Sequence, residues 1–488
     1  MADAVVAELE PKHLWKRFYE ITQVPRPSKK EEKIRTHIRE LLKNLNIDFK
    51  EDAAGNIVAY VPATTGYENA PTVVLQGHID MVCEKNKDKD HDFENDPLDV
   101  SIKDGWVVAD GTTLGSDNGI GVAAGLAVIT DPDIIHGPIE LLFTVDEETG
   151  LTGAKNLEPG FITGNILLNM DSEEDGAFYV GCAGGVDTIA TMKLKTEKKK
   201  SSASTYELHI TGLKGGHSGL DIQEGRGNAI KILGRALKTL NKLEYNIASI
   251  EGGSFRNAIP REAEAILFMN ESDFKTAEDL INEFQKTIQN EFHAAEKGVK
   301  VLIEKADSSL EDVFTKEFTA KVINVILALP HGVISMSQEI PGLVETSTNL
   351  ATIKIVDGKL RIGTSQRSSV DSAKDYISDS VVAVFNLADA EVESGDGYPG
   401  WMPNMDSKLL KISKQTFKNL FNKEPEIKAI HAGLECGILE GKNPGIDIIS
   451  FGPTIENAHS PDERVNIETV AKYYDLLKGI LRSLANTN

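Results

Sequence analysis

PIELLFTVDEETG, residues 138–150, carries an apolar run straight into three adjacent carboxylates, Asp146, Glu147 and Glu148. A run that stays apolar instead of alternating is the pattern of a strand covered by helices on both faces. Adjacent carboxylates repel, and a buried one is costly unless it is paired or binds a metal. The stretch therefore ends either in a solvated turn or at a site that receives a cation. Three other runs have the same form: PTVVLQGHID (71–80), GNILLNMD (164–171) and IDIISFGP (446–453). Helix-like segments such as NGIGVAAGLAVIT (118–130) separate some of them. Upstream, PKHLWKRFYEITQVP (11–25) and KKEEKIRTHIRELLKNL (29–45) read as helices. In the second, Ile34, Ile38, Leu41, Leu42 and Leu45 recur at helical spacing. The fold class is α/β with a mostly parallel sheet.

The middle of the chain differs. TYELHITGL (205–213) and REAEAILFM (261–269) alternate, and NAIKILGRALKTLNKL (228–243) is an amphipathic helix. KTEKKKSSAST (195–205) lacks interleaved aromatics and reads as a solvated turn. The α/β character returns near GYPGW (397–401). The pattern predicts residues 1–185 and 397–488 as two parts of one domain, with 186–396 inserted as an α+β domain. Each half of the insert is expected to hold strands and one long helix. No clear repeat relates the halves.

At 488 residues the chain is long enough for more than one core. It has 52 basic and 75 acidic side chains, a formal charge of −23, which argues against nucleic acid or an anionic membrane as partner. MADAVVAELEPKHLW lacks the basic flank and apolar core of a secretory signal, and no apolar run reaches the length of a membrane span. Cys83, Cys182 and Cys436 form no CxxC pair and no disulfide framework. A cytoplasmic location is the expectation.

Each apolar run ends on, or is soon followed by, a residue able to bind metal. His78 and Asp80 close one, Glu147 and Glu148 another, Asp171 a third, and His459 follows the fourth. Asp117 lies in the glycine-rich GTTLGSDNGIGVAAG. In open α/β sheets, ligands gather at the carboxyl edge of the strands. Two imidazoles and three carboxylates suit a pair of first-row divalent ions, with zinc the default. One Asp could bridge two such ions, and Asp80 could fix the tautomer of His78. A water there loses a proton readily, but a base must take it, and one of the adjacent glutamates can do so. Taken singly, each residue has a plainer reading: a core histidine, a solvated acidic turn, a helix cap at Asp117 or Asn118. Their shared position at strand ends favours the metal site.

GHID, GSDNG, DEETG, NMDSEED and GPTIENAHSPDE, in this order, resemble the M20 family of co-catalytic zinc peptidases. GCAGG, LKGGHSG, RNAIPRE and HAGLECG are similar to a dipeptidase branch of it, and the likeness spans nearly the whole chain. The resemblance implies that His78, Asp117 and Asp171 hold one zinc ion and that Asp117, Glu148 and His459 hold a second, Co2+ or Mn2+ being possible substitutes. It implies Glu147 as general base, Asp80 as the residue orienting His78, and a non-proline cis peptide at Asp117–Asn118. It further implies a homodimer whose inserted domain is a lid. His217 in GGHSG would stabilise the tetrahedral oxyanion, and Asn257 and Arg367 would hold the carboxyl-terminal residue of the substrate. For Arg367 the chemistry agrees, since a guanidinium matches a carboxylate in two hydrogen bonds.

The expected activity is that of a di-zinc aminopeptidase-type dipeptidase acting on Xaa-His and other unblocked dipeptides, β-alanyl-histidine (carnosine) among them. Alternatives are a tripeptidase or an N-acyl amino acid deacylase on the same core, or, from another class, a metal-stabilised protein that only captures peptides. Glu435 and the three cysteines carry no assigned role. None of the cysteines lies in a nucleophile signature, and small buried residues are the expected reading.

Overall fold

A computed structural model describes residues 3–487. By packing, the chain divides into two compact units. The first comprises the chain up to Gly181, Pro403–Ala429, and everything from Leu434 onward; the second comprises Cys182–Met402 and Ile430–Gly433.

The first unit is organised by an eight-stranded sheet. Its centre is four parallel strands in the spatial order Ile139–Thr144, Val73–His78, Ile166–Asn169 and Asp447–Ser450. These are the four apolar runs. Every residue of Val73–His78 and Ile139–Thr144 is buried, as strands covered on both faces require. The helix Ser116–Val128 packs on both of those strands, and Lys408–Phe421 packs on Asp447–Ser450. Ser116–Val128 is buried along nearly its whole length, which suits the unbroken apolar and glycine run from Gly119 to Val128. Antiparallel strands extend the sheet at both edges.

A separate four-stranded sheet joins Ile455–Glu456, Arg464–Asn466, Trp106–Ala109 and Val100–Lys103. It fixes both ends of the loop that carries His459.

The second unit is a nine-stranded antiparallel sheet backed by helices around a core that includes Leu208, Ile230, Leu267, Ile323 and Val381. Among the described residues it has four helices of twelve or more residues: Ala229–Leu240, Phe274–Glu291, Lys316–Ala328 and Asp371–Leu387. The expectation of one long helix per half is corrected to two. In Phe274–Glu291 the buried Ala277, Ile281 and Ile288 are joined by the partly buried Phe274, Leu280 and Phe284 in one apolar stripe against the core.

Candidate metal centre

The carboxyl ends of the parallel strands bring the predicted ligands together. His78 is the last residue of its strand and is buried. Its Nε2 lies 3.0 Å from Asp117 Oδ1 and 3.3 Å from Asp171 Oδ1. His459 Nε2 lies 3.0 Å from the other oxygen of Asp117 and 3.1 Å from Glu148 Oε2. Asp117 thus presents one oxygen to each imidazole. His78/Asp117/Asp171 and Asp117/Glu148/His459 are each compact enough to hold a cation, as is His78/Glu147/Glu148.

The local backbone explains this convergence. Asp117 and Asn118 open the helix Ser116–Val128 with non-helical torsions, and the peptide between them is cis. The Asn118 side chain donates to the Met170 carbonyl at 2.6 Å, tying the Asp117 turn to the strand end before Asp171. Glycine is required beside it: a Cβ on Gly77 would sit 2.3 Å from Asn118 Oδ1, and one on Gly121 would sit 2.5 Å from the Met170 carbonyl.

The three consecutive carboxylates divide their roles. Asp146 turns the chain with a φ of 47° and accepts the hydroxyls of Thr149 and Thr152. That frees Glu147 and Glu148 to face the histidines. Asp80 accepts the backbone N–H groups of Glu147 and Glu148 at 3.1 and 3.3 Å and the Ser28 hydroxyl at 2.8 Å. Its Oδ1 also lies 3.3 Å from His78 Nδ1, an ionic contact without hydrogen-bond alignment. Asp80 therefore braces both the histidine and the two glutamates.

The electrostatics fit a cation. Burial pushes the Glu147 carboxyl well above its ordinary value, with Asp171, Glu435 and Glu148 adding to the shift and His78 opposing it. Burial likewise raises Asp171 to about 7. Hydrogen bonding to Asp117 and Glu148 raises His459 to about 11. Glu148 Oε1 and Asp171 Oδ1 are buried without a hydrogen-bond partner. Crowded carboxylates with orphaned oxygens and two imidazoles are the donor set of a divalent metal.

Glu435, unassigned from sequence, is fully buried and accepts from Gln76 Nε2 at 2.6 Å and Thr144 Oγ1 at 2.7 Å. Cys182 and Cys436 are buried, while Cys83 is only partly so; burial raises the Cys83 thiol to about 11, so it stays protonated.

His217, Asn257 and Arg367 all belong to the second unit. His217 Nδ1 accepts the backbone N–H groups of Gly219 and Leu220 at 3.2 and 3.1 Å. The ring proton is thereby placed on Nε2. Burial and then Arg367 hold this imidazole below its ordinary pKa, hence neutral. Arg367 is 8% exposed, has no carboxylate partner among the described residues, and donates to Tyr398 Oη at 2.9 Å. Its Nε is buried and unpaired. Asn257 is exposed, and its carbonyl accepts the Ser218 N–H at 2.8 Å. Sequence reasoning gave no role to Tyr398 in GYPGW or to His431, the first residue of HAGLECG, because their partners Arg367 and Ser347 are distant in the chain; His431 Nε2 lies 2.7 Å from Ser347 Oγ.

A family model for Peptidase family M20/M25/M40 matches residues 74–483. The chain belongs to that family. This M20 peptidase is 40% identical over 480 residues to the cytosol non-specific dipeptidase of Escherichia coli (strain K12), across 98% of this chain and 99% of that protein. The crystal structure of aminoacylhistidine dipeptidase from Vibrio alginolyticus matches with a TM-score of 0.91 and 41% identity, covering 98% of this chain and 97% of that one. Aminopeptidase PepT from Bacillus cereus ATCC 10987 matches at a TM-score of 0.58 and 18% identity over 98% and 100%, a likeness of fold. The M20 peptidase is a hydrolase of peptide bonds, and its family is metal-dependent. Among its described residues no helix is long and apolar enough to cross a membrane.

Proposed function

We propose that the chain is a cytoplasmic two-zinc dipeptidase that cleaves Xaa-His and other unblocked dipeptides, including β-alanyl-histidine. The observation that carries the reading is Asp117, whose two oxygens each lie 3.0 Å from a different histidine. His78, Asp117 and Asp171 hold one ion in this reading, and Asp117, Glu148 and His459 hold the other. Divalent ions there supply Lewis acidity, polarising a carbonyl and easing loss of a proton from water. Glu147 accepts the proton of the attacking water and returns it to the leaving amine. A carboxyl whose pKa burial raises is suited to hold that proton between the two steps. Asp80 keeps His78 and the two glutamates in register.

On the second unit we assign His217, Asn257 and Arg367 to the substrate. His217 carries its proton on Nε2, the form that donates to an oxyanion. Arg367, a buried guanidinium without a carboxylate partner among the described residues, suits the free carboxylate of a dipeptide. We also assign this unit the roles of lid and dimerisation domain, which the family resemblance supports and sedimentation velocity tests.

The substrate reading is tested by measuring histidine released from β-alanyl-histidine with added zinc and again after a chelator. Metal-dependent release is expected. Cleavage of an acetylated amino acid instead would assign a deacylase, and no turnover of any substrate would leave only peptide capture.

A further inference from the structure

We propose that Arg26 and Glu463 form the positioning pair of the metal centre, fastening the turn 114–117 to the His78 strand end and to the His459 loop. The inference rests on the ligand assignment above. Both side chains are 2% exposed.

Glu463 closes the loop that carries His459 and reaches the turn before Asp117. Its Oε2 accepts the backbone N–H groups of Leu114 and Gly115 at 2.8 and 2.9 Å. Its Oε1 accepts the Ser116 N–H at 2.7 Å and the Ser116 hydroxyl at 2.6 Å. The Asp117 N–H adds a longer bond to Oε1 at 3.4 Å, so one buried carboxylate is satisfied by five donors from a single turn. Only a group with two acceptor oxygens can take them all; a glutamine would aim its NH2 at one pair of donors.

Arg26 works from the other side. Its Nη1 donates to the carbonyls of Ile79 and Asp80 at 3.2 and 2.6 Å, directly after His78, and its Nη2 donates to the Gly115 carbonyl. The guanidinium has room because two neighbours lack side chains. A Cβ on Gly115 or Gly119 would stand 2.5 or 2.6 Å from Nη2. Arg26 and Glu463 therefore grip one turn, and their other attachments are the segments bearing His78 and His459. The direction of the Asp117 carboxyl, and with it the separation of the two imidazoles, is set by this grip. Groups that orient ligands in this way control metal affinity even though they touch no metal.

The test is zinc affinity of the metal-free, full-length chain, titrated against a chromophoric chelator, together with the visible spectrum of the cobalt-loaded protein. Glu463→Gln and Arg26→Lys should each weaken at least one ion by about 10–100-fold and alter the cobalt spectrum. Glu463→Asp, which keeps both oxygens, should recover part of the loss. Ser116→Ala removes one donor to Glu463, and should weaken binding in the same direction by a smaller factor. Wild-type affinity and an unchanged spectrum in Glu463→Gln and Arg26→Lys would overturn the proposal. Should those two not fold, Ser116→Ala decides: weaker binding supports the pair, and wild-type affinity overturns it. A wild-type chain that takes up no zinc would defeat the ligand assignment itself.

Discussion

Asp117 stands between two imidazoles, one oxygen 3.0 Å from each, so both of its oxygens are committed. Asp117→Asn offers one oxygen and one NH2, and the NH2 has no lone pair to give a cation, so one of the two ions would lose a ligand. Zinc content after dialysis should fall below that of the wild type; an unchanged content would remove Asp117 as the shared ligand. Glu435 gives a pH prediction. Burial raises its folded pKa from 4.5 to about 7. Below pH 4.5 both folded and unfolded chains are protonated and the full stability is present. As pH rises towards 7 the unfolded carboxyl ionises first, so stability is lost, on the order of 3 kcal/mol by linkage. Glu435→Gln should remove that loss. In urea denaturation of the metal-free protein, its advantage over the wild type should grow between pH 4.5 and pH 7; a flat difference would contradict the shift. The candidate ligands were legible in sequence because each follows an apolar run or a glycine-rich turn. Arg26 and the contacts of Glu463 and Glu435 were not, since side chains that bond to distant groups leave no spacing signal.

At the scale of elements, the four parallel strands were readable because burial on both faces leaves no polar alternation. Ile455–Glu456 and Arg464–Asn466 were not, because two or three residues carry no period and their pairing depends on Trp106–Ala109, far away in the chain. Yet that small sheet holds the His459 loop. The strand Val73–His78 and the helix Ser116–Val128 pack closely at Gly77. Gly77→Ala would press on Asn118, which is buried and tied to Met170, so the side chain cannot swing aside. A loss of about 1–3 kcal/mol is expected, as for overpacked cores, together with weaker zinc binding. Unchanged stability would mean that Asn118 has more freedom than its hydrogen bond implies.

Across the whole molecule, the six residues His78, Asp117, Glu147, Glu148, Asp171 and His459 lie in the first unit, while His217, Asn257 and Arg367 lie in the second. Ligands stabilise only what binds them. Calorimetry of the zinc-loaded protein should therefore show that a chelator lowers the melting of the first unit's core and leaves a second transition in place; a uniform shift of one transition would show that the units melt together. The inserted segment is marked in the sequence by a change from continuous to alternating apolar patterns. The chain is proposed to hydrolyse a peptide bond with metal held by this ligand set and Glu147 as base. The most direct test is to measure zinc content and kcat on one sample of Glu147→Ala. Two zinc ions per chain should be retained, and kcat should fall by about 100-fold to 10,000-fold. Near-normal turnover with the metals in place would contradict it.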